Sequence, residues 1–144
     1  MTDSLPDNFP TLVVEGCPDA IIYADATGAI RYWNAAATRI FGYSAEEAMG
    51  QNLDLIVPER LRGRHWEGWG RVMGGSPSRY PDGALLAVPA ARKDGSPLSI
   101  EFTVLPVTGA DGKLTGIAAF LRDGTQRFDE MRALRRELAA LKSA

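Results

Sequence analysis

Among its 144 residues the chain has one cysteine, Cys17, and one histidine, His65. A single cysteine excludes an intrachain disulfide framework, a CxxC redox pair and a thiolate-rich zinc site. Cys17 is expected to act as a small buried hydrophobe. With one His and one Cys, no metal cage of imidazoles and thiolates can be assembled within the chain. The sequence also lacks a GxxxxGK phosphate loop and any spacing that singles out a Ser/His/Asp arrangement, so no enzymatic activity is expected. Long apolar runs are missing too. No stretch approaches the roughly 20 apolar residues that span a bilayer, and the acidic start "MTDSLPDNFP" lacks the basic, apolar, small-residue order of a signal peptide. The formal net charge is -2, without the basic footprint of a nucleic-acid binder. These absences point to a cytoplasmic protein that partners neither nucleic acid nor membrane.

What is present suffices for one core: 45% of the residues are apolar and 24% charged, the balance of a single soluble domain. Residues 1–19 mix Pro6, Pro10 and Pro18 with the run "FPTLVV" and read as an N-terminal cap segment with a short helix. "AIIYADATGAIRYWN" then shows two apolar runs around Thr27 and Gly28, a hairpin of strands 20–25 and 29–33. Asn34 is placed to N-cap "AAATRIF", which stops at Gly42, and Ser44 with Glu47 has capping-box spacing before Gly50. Pro58 falls near the first turn of a helix that ends at Gly74 and Gly75. "GALLAVPA" and "LSIEFTVLPV" flank the hairpin signal Asp94–Gly95, and "LTGIAAFLRD" follows a second turn at Asp111–Gly112. The order β-β-α-α-α-β-β-β is an α+β design, with helices segregated between a hairpin and a three-stranded meander. The main domain is expected over 20–124, followed by an amphipathic helix over 125–144. In that tail Met131, Leu134, Leu138 and Leu141 are spaced 3, 4 and 3 apart, an a/d seam of about two heptads. It either pairs with a second chain or packs on its own domain.

The lone histidine lies in "VPERLRGRHWEGWGRVM". At about 100° per residue, Leu61, His65, Gly68, Trp69 and Val72 share one stripe of the helix, while Arg60, Glu67 and Arg71 lie elsewhere. His65 therefore points with the apolar side. A lone imidazole cannot build a protein-only metal site, but a porphyrin supplies four nitrogens and needs only one axial ligand from the protein. Gly68, one turn on, leaves room for a flat ring, with Leu61, Trp69 and Val72 offering apolar contact. Arg62 and Arg64 flank the stripe within reach of carboxylates such as haem propionates. The alternative is a half-buried histidine bonded to a carbonyl, with solvated arginines.

The stretches "DAIIYADATGAIRYWNAAATRIFGYSAEEAMGQNLDLIVPE", "RKDGSPLSIEFTVLPV" and "GIAAFLRDGTQR" resemble the PAS domain family over roughly residues 18–127. The resemblance implies a PAS sensor fold for 20–124: a five-stranded antiparallel sheet, short helices on one face, a ligand between them, and a C-terminal signalling helix. "PERLRGRH" is similar to the long helix of haem-binding PAS sensors of the FixL and RcoM type, which implies haem b as cofactor and His65 as proximal iron ligand. Sensors of the FixL type carry an arginine on the strand that reads "GALLAVPA" here, and Leu86 stands at the matching position. With Leu86, Phe102 and Val104 the distal side is expected to be apolar. It would lack a charge-assisted donor for oxygen unless Tyr80 or another polar group supplies one, and would favour CO or NO. No methionine occurs between Met73 and Met131, so a methionine sixth ligand has no counterpart. Flavin-binding relatives place a reactive cysteine on the helix after the first hairpin, whereas Cys17 precedes that hairpin, which disfavours a light sensor. The reading implied is a haem-based sensor of a diatomic gas or of redox state. It would form a homodimer through the N-terminal segment and C-terminal helix and signal to a separate output protein. The alternative is a PAS module without haem that dimerises or binds another small apolar ligand.

Overall fold

The run "AIIYAD" forms β1 (Ala20–Asp25) and "IRYW" forms β2 (Ile30–Trp33) in the computed structural model, which describes residues 4–75 and 83–143. Between the two strands the Asp25 carboxylate accepts from the Thr27 N–H (2.9 Å), the Thr27 hydroxyl (2.6 Å) and the Ala29 N–H (3.2 Å). Gly28 takes φ +86°, left-handed backbone that a side chain disfavours. Asn34 and Ser44 cap α2 (Ala35–Phe41) and α3 (Ala45–Ala48), the latter with the full capping box. Two 3-10 turns, Leu53–Leu55 and Glu59–Leu61, precede α4 (Arg62–Met73). The expected long helix therefore begins later than the Pro58 signal suggests, because the chain first tightens into a 3-10 turn with Pro58 as its N-cap. Tyr80 lies outside the described residues.

The second half is the meander β3 (Leu86–Ala91), β4 (Pro97–Thr108) and β5 (Leu114–Asp123), then α5 (Thr125–Ser143). The five strands are antiparallel in the order β2-β1-β5-β4-β3, so β1 pairs with both β2 and β5 and closes the two halves into one sheet. Register fixes the inner face: Ile22 stands beside Trp33 and Ala119, and Leu121 beside Ala20 and Phe102. With period-2 alternation, Leu98, Ile100, Phe102 and Val104 follow on the same side of β4. Phe41 and Ile30, both 0% exposed, fill the core above them, each contributing about 1.5–3 kcal/mol of burial. The N-terminal segment contains α1 (Phe9–Gly16), held by the Tyr32 hydroxyl donating to Glu15 Oε1 at 2.5 Å.

Asn34, 1% exposed, joins these parts. Its Oδ1 accepts from the Ile21 N–H at 2.9 Å and the Ala37 N–H at 3.1 Å, and its Nδ2 donates to the Val14 carbonyl at 3.0 Å and the Asp19 carbonyl at 3.1 Å. One amide thus ties α1, β1 and α2 together. Asn34→Ala removes a helix cap and strands buried backbone groups, so we expect a loss of about 3 kcal/mol in urea denaturation. An unchanged midpoint would show that water replaces the amide at no cost.

Candidate functional site

The β1–β2 turn is the seat of the site. Trp66 lies across Gly28, where any Cβ would overlap its ring, and its indole N–H donates to Asp54 Oδ1 at 2.7 Å. Asp54 sits in the first 3-10 turn, its own N–H accepted by Asn52 Oδ1 at 2.7 Å. Trp69 reaches the same β-turn, its indole N–H donating to the Ala26 carbonyl at 3.2 Å. Helix α4 has no fully buried residue. Two indoles hold it, and both rings pack against the core cluster.

His65 stands between those indoles, its ring centroid 4.6 Å from that of Trp66 in an edge arrangement and 5.9 Å from that of Trp69. Its Nδ1 is buried and has no hydrogen-bond partner among the described residues. A stranded buried polar atom costs about 1–3 kcal/mol. The reading of His65 as a histidine satisfied by a carbonyl is therefore not met at this atom. At Gly68, no described atom beyond the local backbone of the helix lies within 4 Å of where a Cβ would stand, so the helix is open one turn beyond the imidazole. Leu61, Gly68, Trp69 and Val72 are all half-buried, the expected stripe.

Arg62 and Val104 stand apart from that stripe. Arg62 has two of its donors on backbone, its Nε donating to the Val57 carbonyl at 3.1 Å and its Nη2 to the Asp54 carbonyl at 3.2 Å. Val104 shares the inner face with Phe102 but is 39% exposed. Arg64 is exposed, and no partner for it occurs among the described residues. Leu86 and Phe102 stand opposite each other across β3 and β4, both half-buried, and Phe102 packs on the same core cluster as the two indoles.

Trp66 and Asp54 are absent from the stripe read along the sequence. Trp66 is about 100° from His65 on the helix, and only its contacts with Gly28 and Asp54 show that it faces inward. Its spacing of three residues from Trp69 was the available signal. Among the described residues no three His, Cys, Asp or Glu side chains converge to hold a metal ion. Two open clefts lie elsewhere, one of about 250 Å³ between α1 and Tyr32, the other beside Arg39, Arg92 and Lys93. The cations of the second are already engaged, with the Pro18 carbonyl, Asp123 and Glu47 respectively. Cys17 is half-buried at the end of α1, ahead of β1.

Burial holds the His65 imidazole below its ordinary pKa of 6.5, and the Asp54 carboxylate partly offsets that effect. The unfolded chain takes up this proton at higher pH than the folded one. The stability contributed by the neutral ring is thus fully present above about pH 6.5 and lost as pH falls below it. Between about pH 7.5 and 5.5 the urea midpoint of the wild type should fall more than that of His65→Phe. Parallel losses in both proteins would show that His65 does not carry the slope.

A family model described as the PAS fold matches residues 8–124. The chain is 30% identical over 127 residues to the sensor protein FixL of Bradyrhizobium diazoefficiens, a match covering 88% of this chain and 25% of that protein. It is 29% identical over 112 residues to the oxygen sensor protein DosP of Escherichia coli, covering 78% of this chain and 14% of that one. The chain thus spans a quarter or less of the length of the curated relatives it matches. Among solved structures, the PAS domain of a Colwellia psychrerythraea protein superposes with a TM-score of 0.67 at 22% identity, covering 79% of this chain and 92% of that one. At that identity the shared property is the fold. No described helix is long and apolar enough to cross a membrane. The family match runs from the cap segment through the whole five-stranded sheet, and the chain belongs to the PAS family of sensory and signalling modules.

Proposed function

We propose that the chain is a haem-based sensor module, non-enzymatic, that responds to a diatomic gas or to redox state and passes the change to its terminal helices and a separate output protein. The observation that carries this reading is His65: a buried ring nitrogen without a partner, on a helix face left open at Gly68. A neutral imidazole is the form that ligates iron, and desolvation favours that form here. When bound, haem would supply an iron centre that takes a diatomic ligand or changes oxidation state. The chain's own residues then have distinct parts. His65 would hold the iron; Leu61, Trp69 and Val72 would supply apolar walls beside it, and Gly68 would leave space for the ring. Arg64, exposed and without a described partner, would be the first cation available to propionates, with Arg62 beside it keeping two donors on backbone carbonyls. Leu86, Phe102 and the exposed Val104 line the opposite side without a hydrogen-bond donor, which favours CO or NO over oxygen.

Hemin titrated into the wild-type chain should give a Soret band at one haem per chain, and His65→Ala should lose that uptake while keeping its circular dichroism. After reduction, CO should shift the band. In air the reduced spectrum should give way to the oxidised one, not to a stable third form. Stoichiometric haem with an unchanged spectrum in His65→Ala would refute the ligand assignment.

Assembly is the second part of this reading. Phe128, Met131, Leu134, Leu138 and Leu141 on α5 are 46–74% exposed, as are Leu12 and Val13 on α1 at about half, so the seam does not pack on its own domain. With Met131 and Leu138 at a and Leu134 and Leu141 at d, Glu130 and Glu137 fall at g and Arg135 and Lys142 at e. In a parallel pair, g faces e of the partner and these charges attract; in an antiparallel pair like charges meet. The reading is therefore a parallel homodimer. Removing residues from Arg127 onward should shift the protein toward monomer in sedimentation velocity, since an isolated helix of this length is marginal without a partner surface. A dimer unaffected by the truncation would place the interface elsewhere.

A further inference from the structure

We infer, resting on the haem reading above, that Trp66 and Asp54 are positioning residues: Asp54 pins the Trp66 indole, and the pinned indole fixes the direction in which His65 presents its ring. The geometry is closed at every point. The Trp66 ring is held at one end by its N–H on Asp54 Oδ1 at 2.7 Å and at the other by the bare backbone of Gly28. It therefore cannot turn about its side-chain torsions without losing a hydrogen bond or striking the β1–β2 turn. His65 meets this fixed plane edge-on at 78° and 4.6 Å, and Trp69 bounds it at 5.9 Å, held in turn by the Ala26 carbonyl. The two indoles are themselves 5.6 Å apart at 71°.

An axial ligand needs this kind of support. Ligating histidines are normally oriented by a hydrogen bond to the ring nitrogen that does not hold the metal, and among the described residues no hydrogen bond to either ring nitrogen of His65 occurs. Orientation must therefore come from packing, and the two indoles are the packing. Asp54 also secures the start of α4, because its carbonyl accepts from Arg62 Nη2 at 3.2 Å. The same residue thus holds both the helix and the ring that braces its histidine. Gly28 is what lets the arrangement form, since any other residue there would displace the indole from its seat.

His65 is the chain's only histidine, so the full chain without haem reports on one imidazole when carbethoxylated by diethyl pyrocarbonate and followed by ultraviolet difference absorbance. Asp54→Ala and Trp66→Phe should react several-fold faster than the wild type, whereas Asp54→Asn, whose amide oxygen still accepts from the indole, should react at the wild-type rate. With hemin, the first two variants should bind about tenfold or more weakly, within the range seen when an orienting partner is lost, and Asp54→Asn should bind as the wild type does. A wild-type carbethoxylation rate in both Asp54→Ala and Trp66→Phe would overturn the inference. So would an Asp54→Asn variant as reactive as Asp54→Ala, which would make charge, not the acceptor, the cause. If Asp54→Ala loses its circular dichroism, Trp66→Phe decides alone. If the wild type takes up no haem, the haem reading fails, and the carbethoxylation rates still decide whether the indole holds the imidazole.

Discussion

The structure depends on one buried amide. Asn34 is the residue at which strand β2 becomes helix α2, and both ends of its side chain are used: the oxygen receives N–H groups from Ile21 and Ala37, and the nitrogen donates to the carbonyls of Val14 and Asp19. No apolar residue and no carboxylate can meet two donors and two acceptors at once. Because β1 is also the strand that pairs with β5, this amide connects the N-terminal helix to the strand that closes the sheet.

Helix α4 is held on different terms. It buries no residue completely, and its attachment comes from two indole N–H groups and the Arg62 guanidinium, all reaching backbone or carboxylate oxygens of the β1–β2 turn and the 3-10 segment. The imidazole it carries feels two opposing influences: burial disfavours its charge, and Asp54 favours it. Burial is the larger, so the balance lowers the pKa and favours the neutral ring.

At the other extreme, α5 makes almost no use of its own domain. Arg127 contacts Glu101 at 3.4 Å near its start, and the Ser99 N–H is accepted by Thr125 Oγ1 at 3.1 Å; from Phe128 on, the apolar seam faces outward. The C-terminal end of β5 leads into α5 through Gly124, whose N–H donates to the Ser99 carbonyl at 2.8 Å. Any shift of β4 or β5 therefore reaches the helix through a few short hydrogen bonds. That is a direct link between the sheet and the exposed apolar seam of α5.

Much of this was legible along the chain. Apolar runs mark all five strands, and the glycines after Asp94 and Asp111 mark the turns of the meander, because these signals are local: a run's composition and a backbone's allowed φ are set within a few residues. The caps at Asn34 and Ser44 and the inward register of His65 are local in the same sense. The tertiary structure alone decided what Asn34 does beyond capping, since Val14 and Asp19 reach it only after α1 folds back. It also decided that Arg62 has two of its donors on the Val57 and Asp54 carbonyls, and that Val104 is exposed. Trp66 is the clearest case. Helical phase puts it off the stripe, yet Gly28, 38 positions earlier, and Asp54, 12 earlier, make it an inward residue. A period describes one helix, whereas a contact depends on what the rest of the chain brings to that helix's side, and only the folded sheet places a bare glycine and a carboxylate at the two ends of one indole.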